Sequence, residues 1–330
     1  MTSADGATDA PYVVVVGGAN VDVKSQTNVA AVPMTSNPGH TSLSTGGVGR
    51  NIAENLARLG TRSHLVAAIG TDVLGEWLVA QTARAGVGLR HVHRTSRATG
   101  TYTAVLDVDG ELIVAVAAMD ATDDLSPAQL ASSSALRAGA ALIVLDGNLS
   151  VEVLTTLLDD AATDRVRVLL DPVSDPKAQR IASVLSPSRP MFVITPNRTE
   201  LAVLTGLAVD TPDKLVTAAD ALVALGVENV WVRLGAEGSL LCGRDGVCTP
   251  IPAIPVDVLD VTGAGDAMAG AFVHALVSDR SLIDSATFAH AAAALTIASV
   301  HTVRPDLTVE LVEAELARVV LSAEQLEGLS

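Results

Sequence analysis

An aspartate directly after a glycine-rich turn is the residue in this sequence best placed to perform chemistry. The stretch Thr262-Gly263-Ala264-Gly265-Asp266 separates an apolar run from small residues typical of a closely packed helix, with Thr262 as its expected N-cap. Unpaired N–H groups and a partial positive charge at the start of a helix attract phosphate oxygens. The Gly263–Gly265 amides could therefore hold negative charge while Asp266 accepts a proton from a hydroxyl group. The alternative is a plain turn whose aspartate only complements the helix dipole.

Polar residues also follow the first predicted strand, where an acceptor would bind. Asn20 and Asp22 come after two glycines that end the β-branched run Tyr12–Val16. Ligands collect at the carboxyl edge of a parallel sheet, and an aspartate there can bind two hydroxyls of a sugar. A pair of turn residues without a ligand is the alternative. A second cluster, Ser44–Asn51, has three glycines before a helix, which suggests that its backbone approaches a ligand closely.

Two later clusters have the composition of a metal and nucleotide site. Asn197 and Glu200 follow a strand and are three residues apart, so they share one face of the first helical turn. An amide and a carboxylate in this arrangement can bind Mg²⁺ through its water molecules, although mutual helix capping uses the same spacing. The loop Gly235–Gly238 follows another strand, and it either lets the backbone approach a nucleotide or forms a simple turn.

Composition limits the classes of partner. The 330-residue chain is 49% hydrophobic, enough for a large core, and carries a formal net charge of −16. This charge argues against a nucleic-acid partner, because a phosphate backbone recruits lysine and arginine. The lysines are Lys24, Lys177 and Lys214, and none stands in a Gly-x-x-x-x-Gly-Lys pattern. A nucleotide site here must therefore neutralise phosphates with Mg²⁺, a helix N-terminus and arginine.

The cysteines and the terminal segments indicate a cytoplasmic protein. Cys242 and Cys248 flank the turn Gly243–Gly246 and could face each other across a hairpin, but we expect two separate, half-buried thiols in a reducing compartment. Residues 1–11 are predicted to form a disordered tail without the apolar segment of a signal peptide. The longest apolar run, 291–300, is too short to span a bilayer.

The elements that must position these residues alternate between strands and helices. The predicted strands are 12–16, 64–70, 142–145, 166–170, 192–195 and 230–234. One predicted helix follows the glycine cluster and ends at Gly60, and the others are 75–85, 150–161, 199–205, 212–225, 266–277, 284–300 and 308–321. Such alternation requires parallel strands with helices on both faces, and it places the polar clusters along one edge of the sheet.

One stretch departs from this rhythm. The alternating pattern at 99–118, with its Asp109-Gly110 turn, predicts an antiparallel hairpin. Together with the segment at 23–43, this hairpin can form a small sheet that projects from the main body. We expect such a sheet to cover the acceptor and exclude water.

Two of these segments resemble the signatures of a known family. Residues 46–60 fit the pattern Gly-Gly-x-x-x-Asn-x-Ala-x-x-Leu-Ala-x-Leu-Gly, and residues 262–270 read Thr-Gly-Ala-Gly-Asp-Ala-Met-Ala-Gly. Both are similar to the ribokinase-like (PfkB) family of sugar and nucleoside kinases, and the likeness extends over about 12–310. The resemblance implies a three-layer α/β/α kinase domain at 12–330, with a mostly parallel central sheet and a small β-sheet lid at about 23–43 and 98–120. It also implies ATP, Mg²⁺, K⁺ in some members, and a homodimer formed through the lid.

The resemblance implies a role for each matching residue. Asp266 corresponds to the catalytic base, and the backbone of Gly263, Ala264 and Gly265 corresponds to the anion hole. The implied acceptor contacts are Asn20, Asp22, Gly46, Gly47 and Asn51. The implied nucleotide contacts are Asn197, Gly235, Gly238 and Thr262. Glu200 corresponds to the residue that binds Mg²⁺ through water, and Asp260, with carbonyls near 298–301, to a monovalent cation site.

Within the family, several short strings are most similar to the pseudouridine kinases. They are 18–23, 36–39, 46–57, 171–174 with Lys177, and 261–268. This likeness implies ATP-dependent 5′-phosphorylation of pseudouridine. Because aromatic residues make up 2% of the chain, stacking cannot dominate base recognition, and hydrogen bonds must contribute. The candidates are Ser36, Asn37, Thr101 and Thr103 in the lid and Asn148 and Lys177 at the sheet edge, each with a plain surface position as the alternative.

Two other functions stay open. One is a different ribose or nucleoside kinase of the same family, such as a ribokinase, a purine-nucleoside kinase or a uridine kinase. The other is a nucleoside sensor without catalysis, against which the intact Asp266 argues. A dinucleotide-dependent dehydrogenase is disfavoured, because Gly17-Gly18 lacks the Gly-x-Gly-x-x-Gly spacing that a pyrophosphate needs.

Overall fold

The computed structural model of the protein describes residues 10–327, and for 319–327 it describes the backbone alone. The predicted tail at 1–11 therefore lies almost entirely outside the described residues. The strands are β1 (Tyr12–Val16), β2 (Asn20–Thr27), β3 (Gly39–Gly46), β4 (Arg62–Val66), β5 (Ala68–Gly70), β6 (His93–Thr95), β7 (Thr101–Leu106), β8 (Leu112–Ala118), β9 (Leu142–Asp146), β10 (Val168–Asp171), β11 (Met191–Ile194), β12 (Val227–Arg233), β13 (Ser239–Gly243) and β14 (Cys248–Ile251). The helices are α1 (Val48–Arg58), α2 (Val73–Arg84), α3 (Asp120–Asp123), α4 (Pro127–Leu130), α5 (Ser134–Ala138), α6 (Val151–Asp164), α7 (Asp175–Ala182), α8 (Arg198–Thr205), α9 (Pro212–Ala224), α10 (Ala264–Val277), α11 (Leu282–Ile297) and α12 (Val309–Glu327).

The central sheet has eight strands in the order β14-β13-β12-β11-β10-β9-β1-β4. The six strands from β12 to β4 pair in parallel, and β13 and β14 add an antiparallel edge. The carboxyl ends of the parallel strands therefore meet at one edge, as the sequence predicted.

Helices cover both faces of this sheet, and each face has its own apolar core. Val13 and Val15 of β1 pack into the core formed with α1, α2, α10, α11 and α12. Val14 and Val16 point to the opposite face and pack with α6, α7, α8 and α9. A strand buried on both faces reads as a continuous β-branched run, which is why this strand could be predicted. The predicted three-layer α/β/α architecture is confirmed.

A second sheet of four strands, β3-β2-β7-β8, forms the lid. The strand β2 pairs antiparallel with β3 and parallel with β7, and β7 forms the predicted hairpin with β8. The edge strand β8 exposes Leu112, Val114 and Val116. The predicted pairing of the 23–43 segment with the hairpin is therefore present.

Three local predictions differ from the structure. The strand predicted at 64–70 is divided, because β4 stays in the central sheet whereas β5 leaves it to pair with β6. The short helices α3, α4, α5 and α7 were not predicted. Cys242 and Cys248 are not separate thiols: they lie opposite each other in the β13–β14 pair, with Cα atoms 4.0 Å apart, and form a disulfide.

In the part of the chain that the structure describes, no helix combines the length and apolar character needed to cross a bilayer.

Candidate active site

Both sequence signatures line one cavity of about 360 Å³ at the carboxyl edge of the central sheet. Its wall combines the loop after β1, the start of α1, the lid, and the turn before α10. The lining residues are Gly18, Asn20, Asp22, Gly47, Val48, Asn51, Tyr102, Met119, Thr122, Asn148, Val173, Lys177, Thr262, Gly263, Asp266 and Thr302. Residues up to about 280 positions apart in the chain therefore meet here because parallel strands end at a common edge.

The N-cap of the helix that carries Asp266 lies one residue later than predicted. The N-cap of α10 is Gly263, with φ 82°, and no side chain caps it. The amide of Thr262 instead donates to Oδ1 of Asp260 at 2.8 Å, so the prediction of Thr262 as the N-cap is wrong. A side chain on Gly263 would overlap the carbonyl oxygen of Thr302. This left-handed glycine turns the chain into α10, whose N-terminus favours an anion. The amide of Ala264 donates to the carbonyl of Val261 at 3.3 Å.

Asp266 is held in place from the acceptor side of the cavity. Nδ2 of Asn51 donates to Oδ2 of Asp266 at 2.7 Å, which leaves Oδ1 to accept a proton. The helices α1 and α10 approach so closely that a Cβ on Gly270 would lie 2.7 Å from Cβ of Asn55. Burial raises the pKa of Asp266 to about 7; the Asn51 bond opposes this rise, and the nearby carboxylate of Asp171 adds to it. A base with this pKa is suited to neutral pH.

The predicted acceptor residues Asn20 and Asp22 lie together on β2. Nδ2 of Asn20 donates to Oδ1 of Asp22 at 2.7 Å, and burial raises the pKa of Asp22. Gly46 has no room for a side chain, because a Cβ would overlap the Asp22 carboxylate. Gly47 has φ 96°, and a Cβ there would lie 2.5 Å from the carbonyl oxygen of Gly18. Both glycines thus let the loop before α1 close around the carboxylate.

The predicted lid contacts lie away from this cavity. In the register of β2 and β7, Tyr102 is paired with Asp22 and lines the cavity, so the neighbouring Thr101 and Thr103 point to the other face. Asn37 closes its own loop by hydrogen bonds with the amide and carbonyl of Val32. It borders a separate cavity at the far end of the lid, and Ser36 lines neither cavity. Tyr102 and Met119 are therefore lid residues of the cavity wall that were not predicted from the sequence.

The two sheet-edge candidates for base recognition do line the cavity. Nζ of Lys177 donates to Oδ1 of Asn148 at 2.5 Å, and burial lowers the pKa of Lys177, an effect opposed by the charge of Asp146. The bond occupies the carbonyl oxygen of Asn148. The Asn148 side chain also hydrogen-bonds the carboxylate of Asp146, so the donors left for a ligand are the remaining ammonium hydrogens of Lys177 and the second amide hydrogen of Asn148.

Asn197 and Glu200 form the capping box that was the alternative to a metal site. Oδ1 of Asn197 accepts from the amide of Glu200 at 2.9 Å, and Oε2 of Glu200 accepts from the amide of Asn197 at 2.8 Å. Glu200 is buried, and its Oε2 also faces Nη2 of Arg233 at 3.5 Å. Since Oε2 receives both bonds, Oε1 is left to accept a hydrogen bond from water.

The remaining predicted residues lie in loops near this edge. Gly235 and Gly238 adopt φ 61° and 92°, and they bracket a 3₁₀ turn directly after β12. A side chain on Gly238 would overlap the carbonyl oxygen of Ile251. Asp260 lies in a loop tied to the end of α11, because its amide and that of Leu259 donate to the Ile297 carbonyl.

Two buried carboxylates organise the site but were not singled out from the sequence. Asp146 ends β9 and accepts from the amides of Gly18 and Gly49, both at 2.8 Å, so it joins the loop after β1 to the start of α1. Asp171 ends β10 and pairs with Arg233 at the end of β12, at 3.0 Å. Their signal in the sequence was a charged residue at the carboxyl end of a buried apolar strand.

Comparison with known proteins places the chain among kinases. A model of the pfkB family carbohydrate kinases matches residues 10–308. Pseudouridine kinase of Escherichia coli (strain K12) is 33% identical over 302 residues, 90% of this chain and 94% of that protein. Ribokinase of Haemophilus influenzae is 31% identical over 297 residues, 86% of this chain and 91% of that protein. The structure of Arabidopsis thaliana ribokinase complexed with ribose and ATP has a TM-score of 0.83 and 25% identity, and the match covers 93% of this chain and 99% of that one.

Proposed function

The chain belongs to the pfkB family of carbohydrate kinases, and we propose that it catalyses the ATP-dependent 5′-phosphorylation of pseudouridine. The observation that carries the proposal is the bond between Asn51 and Asp266. It joins the acceptor signature to the anion-hole signature inside one cavity. The ATP bound to the similar ribokinase structure supports ATP as the donor.

The chemistry follows from the placement of three groups. Asn20 and Asp22 would hold the ribose hydroxyls, which directs the 5′-hydroxyl towards Asp266. Oδ1 of Asp266 accepts the hydroxyl proton as the 5′-oxygen forms its bond to the γ-phosphorus of ATP. The bond between that phosphorus and the β–γ bridging oxygen breaks, and ADP leaves. The Gly263–Gly265 amides stabilise the charge on the transferring group, which is the main task of a protein in phosphoryl transfer.

Glu200 fits a water-mediated Mg²⁺ site. Among the described residues, no group of three or more His, Cys, Asp or Glu forms a direct metal cage, but Oε1 of Glu200 can accept a hydrogen bond from metal-bound water. When bound there, Mg²⁺ would neutralise charge on the ATP phosphates. We also propose that Asp260, next to the end of α11, contributes to a monovalent cation site.

Pseudouridine is proposed over other acceptors because of the similarity to a pseudouridine kinase and because of the pair Lys177–Asn148. The E. coli pseudouridine kinase aligns over 90% of the chain. Lys177 and Asn148 supply hydrogen-bond donors at the wall of the cavity, and a uracil ring offers carbonyl oxygens as acceptors. Ribose is the second candidate acceptor, favoured by the similarity to ribokinase.

The lid supports a homodimer. Its edge strand β8 exposes Leu112, Val114 and Val116, each by more than half, and an unpaired apolar strand edge favours association. We propose that two copies pair through this surface, and that the protein works in the cytoplasm, where ATP and nucleosides are available; because Cys242 and Cys248 form a disulfide, the cysteines do not support this location. Sedimentation of the wild type and of a Val116→Glu variant tests the pairing; a wild type that sediments as a monomer would contradict it.

The substrate is tested by coupled ADP release with pseudouridine, uridine, adenosine, inosine and ribose. We expect the highest kcat/KM with pseudouridine. Preference for ribose or another nucleoside would retain the kinase but replace the acceptor. Thermal stabilisation by a nucleoside without ADP formation would instead indicate a sensor.

A further inference from the structure

Arg233 is a largely buried guanidinium that the proposed mechanism does not use. It ends β12, two residues before the Gly235–Gly238 loop, and its side chain is 16% exposed. Its Nη1 lies 3.0 Å from Oδ2 of Asp171, and its Nη2 lies 3.5 Å from Oε2 of Glu200. The amide of Arg233 donates to the carbonyl of Pro196 at 2.8 Å. The backbone and both ends of the guanidinium are therefore fixed.

The same side chain touches the anion hole. A Cβ added to Gly265 would overlap Nη1 of Arg233, so the guanidinium lies directly against the backbone of the proposed phosphate site. Gly265 has no left-handed φ that would require glycine. A side chain at this position would displace the guanidinium of Arg233 from its present place.

Arg233 retains donors for an anion. A guanidinium has five N–H groups in a fixed fork. The bonds to Asp171 and Glu200 use one hydrogen on Nη1 and one on Nη2, which leaves a second hydrogen on each. The two carboxylates fix the orientation of the guanidinium and leave some of its N–H groups for another ligand. This arrangement pre-organises a guanidinium for phosphate.

The negative charge of the carboxylates around Arg233 also requires a cation if a nucleotide is to bind beside them. Asp171, Glu200 and Asp266 all interact electrostatically with Arg233, and three carboxylates would repel a nucleotide. No lysine is placed to meet the need: Lys24 lies in the lid strand β2, Lys214 pairs with Asp210, and Lys177 lies at the cavity wall, where its proposed role is recognition of the acceptor. The sequence has no other lysine.

We propose that Arg233 is a phosphate-binding residue, whose free N–H groups contact the β- and γ-phosphates of the nucleotide beside the Gly265 amide. This inference rests on the proposed use of ATP and extends it to a residue outside both family signatures. Arg233 would act together with Mg²⁺, and it supplies a permanent charge on the side of the anion hole that faces the sheet.

The test is nucleotide binding by calorimetry, with adenosine, ADP and a non-hydrolysable ATP analogue in buffer that contains Mg²⁺. We expect Arg233→Gln to weaken the binding of ADP and the ATP analogue by about ten- to a hundredfold, because bonds to a charged group are lost. Adenosine binding should change less than twofold, and Arg233→Lys should lose less ADP affinity than Arg233→Gln. Arg189→Gln is the matched control: it removes the same charge from a surface pair with Asp159 and should bind all three ligands normally.

An equal loss for adenosine and ADP would show that Arg233 only shapes the nucleotide loop, and unchanged ADP affinity would exclude contact with phosphate. Both outcomes overturn the proposal. If Arg233→Gln does not fold, the same comparison of adenosine with ADP in Arg233→Lys decides. No pseudouridine is present, so the result is independent of whether pseudouridine is the substrate, which the ADP-release assay tests separately.

Discussion

Nδ2 of Asn51 donates to Oδ2 of Asp266 across 2.7 Å, although 215 residues separate them in the chain. The bond fixes the orientation of the carboxylate and assigns its two oxygens to different tasks. One oxygen is held by the amide, and the other can accept a proton from the acceptor hydroxyl. The proposed proton acceptor is therefore oriented before any ligand binds.

Asp266→Asn should reduce turnover by about 10²–10⁴-fold, the usual contribution of a positioned base. The amide oxygen can still accept from Asn51, so the cavity should keep its shape. ADP release at saturating ATP and acceptor measures the effect, and circular dichroism checks the fold. Turnover close to that of the wild type would remove Asp266 from the role of base.

The pH dependence should report the same group. Burial raises the pKa of Asp266 to about 7, and the base must be ionised to accept a proton. We therefore expect kcat/KM to be level above pH 7 and to fall below it by about tenfold for each pH unit. A profile that stays level down to pH 5 would contradict this assignment.

The free energy of unfolding should fall as pH rises towards 7, whereas kcat/KM should rise. The pKa of Asp266 is higher in the folded protein than its ordinary value of 3.8, so the folded state binds the proton more tightly. The ionised group then lowers the free energy of unfolding progressively as pH rises from about 4 to 7. Asp266→Asn should raise the thermal midpoint at pH 8 and have little effect at pH 4. A midpoint difference independent of pH would argue against a buried ionised carboxylate.

Gly47→Ala should impair acceptor binding. With φ 96°, a Cβ there would lie 2.6 Å from Cα of Ala19, next to Asn20, and would push the acceptor loop aside. Displacement of a binding group by about 1 Å can cost about a hundredfold in kcat/KM. Gly60→Ala is the matched control, since Gly60 has φ 85° but no atom within 4 Å of its added Cβ. Equal losses in both variants would show that backbone strain alone is responsible.

Reduction of the disulfide between Cys242 and Cys248 should destabilise the fold. A cross-link over this short loop stabilises by about 2 kcal/mol, and the hairpin lies far along the sheet from the cavity. Denaturation with and without reductant should show the difference in the wild type. The double variant with serine at both positions should not respond to reductant. Two thiols that titrate freely in the unreduced, unfolded protein would refute the cross-link.

The three layers, the polar edge of the sheet and both signature loops could be predicted from the sequence, because each depends on residues that are close together in the chain. The run Tyr12–Val16 is buried on both faces, and the turns at Gly47 and Gly263 need left-handed glycine. These features depend on neighbours in the chain, so they can be read from it directly.

Features that depend on pairing between distant segments could not be read in this way. Thr101 and Thr103 were predicted to face the ligand, but the register between β2 and β7 turns Tyr102 inward instead. The disulfide depends likewise on the β13–β14 register. Arg233 lay within the predicted strand 230–234, and only the structure reveals that Gly265 lies against it.

The close contact of α1 with α10 at Gly270 fixes the spacing of the groups proposed for phosphoryl transfer, independently of the sheet that forms part of the acceptor cavity. The proposed proton acceptor and anion hole belong to helices packed on the main body, whereas part of the cavity wall belongs to a sheet that projects from it. Substitutions in that sheet can accumulate without altering the spacing on which transfer depends. Related chains could thus diverge in the alcohol they choose while sharing one unchanged reaction geometry.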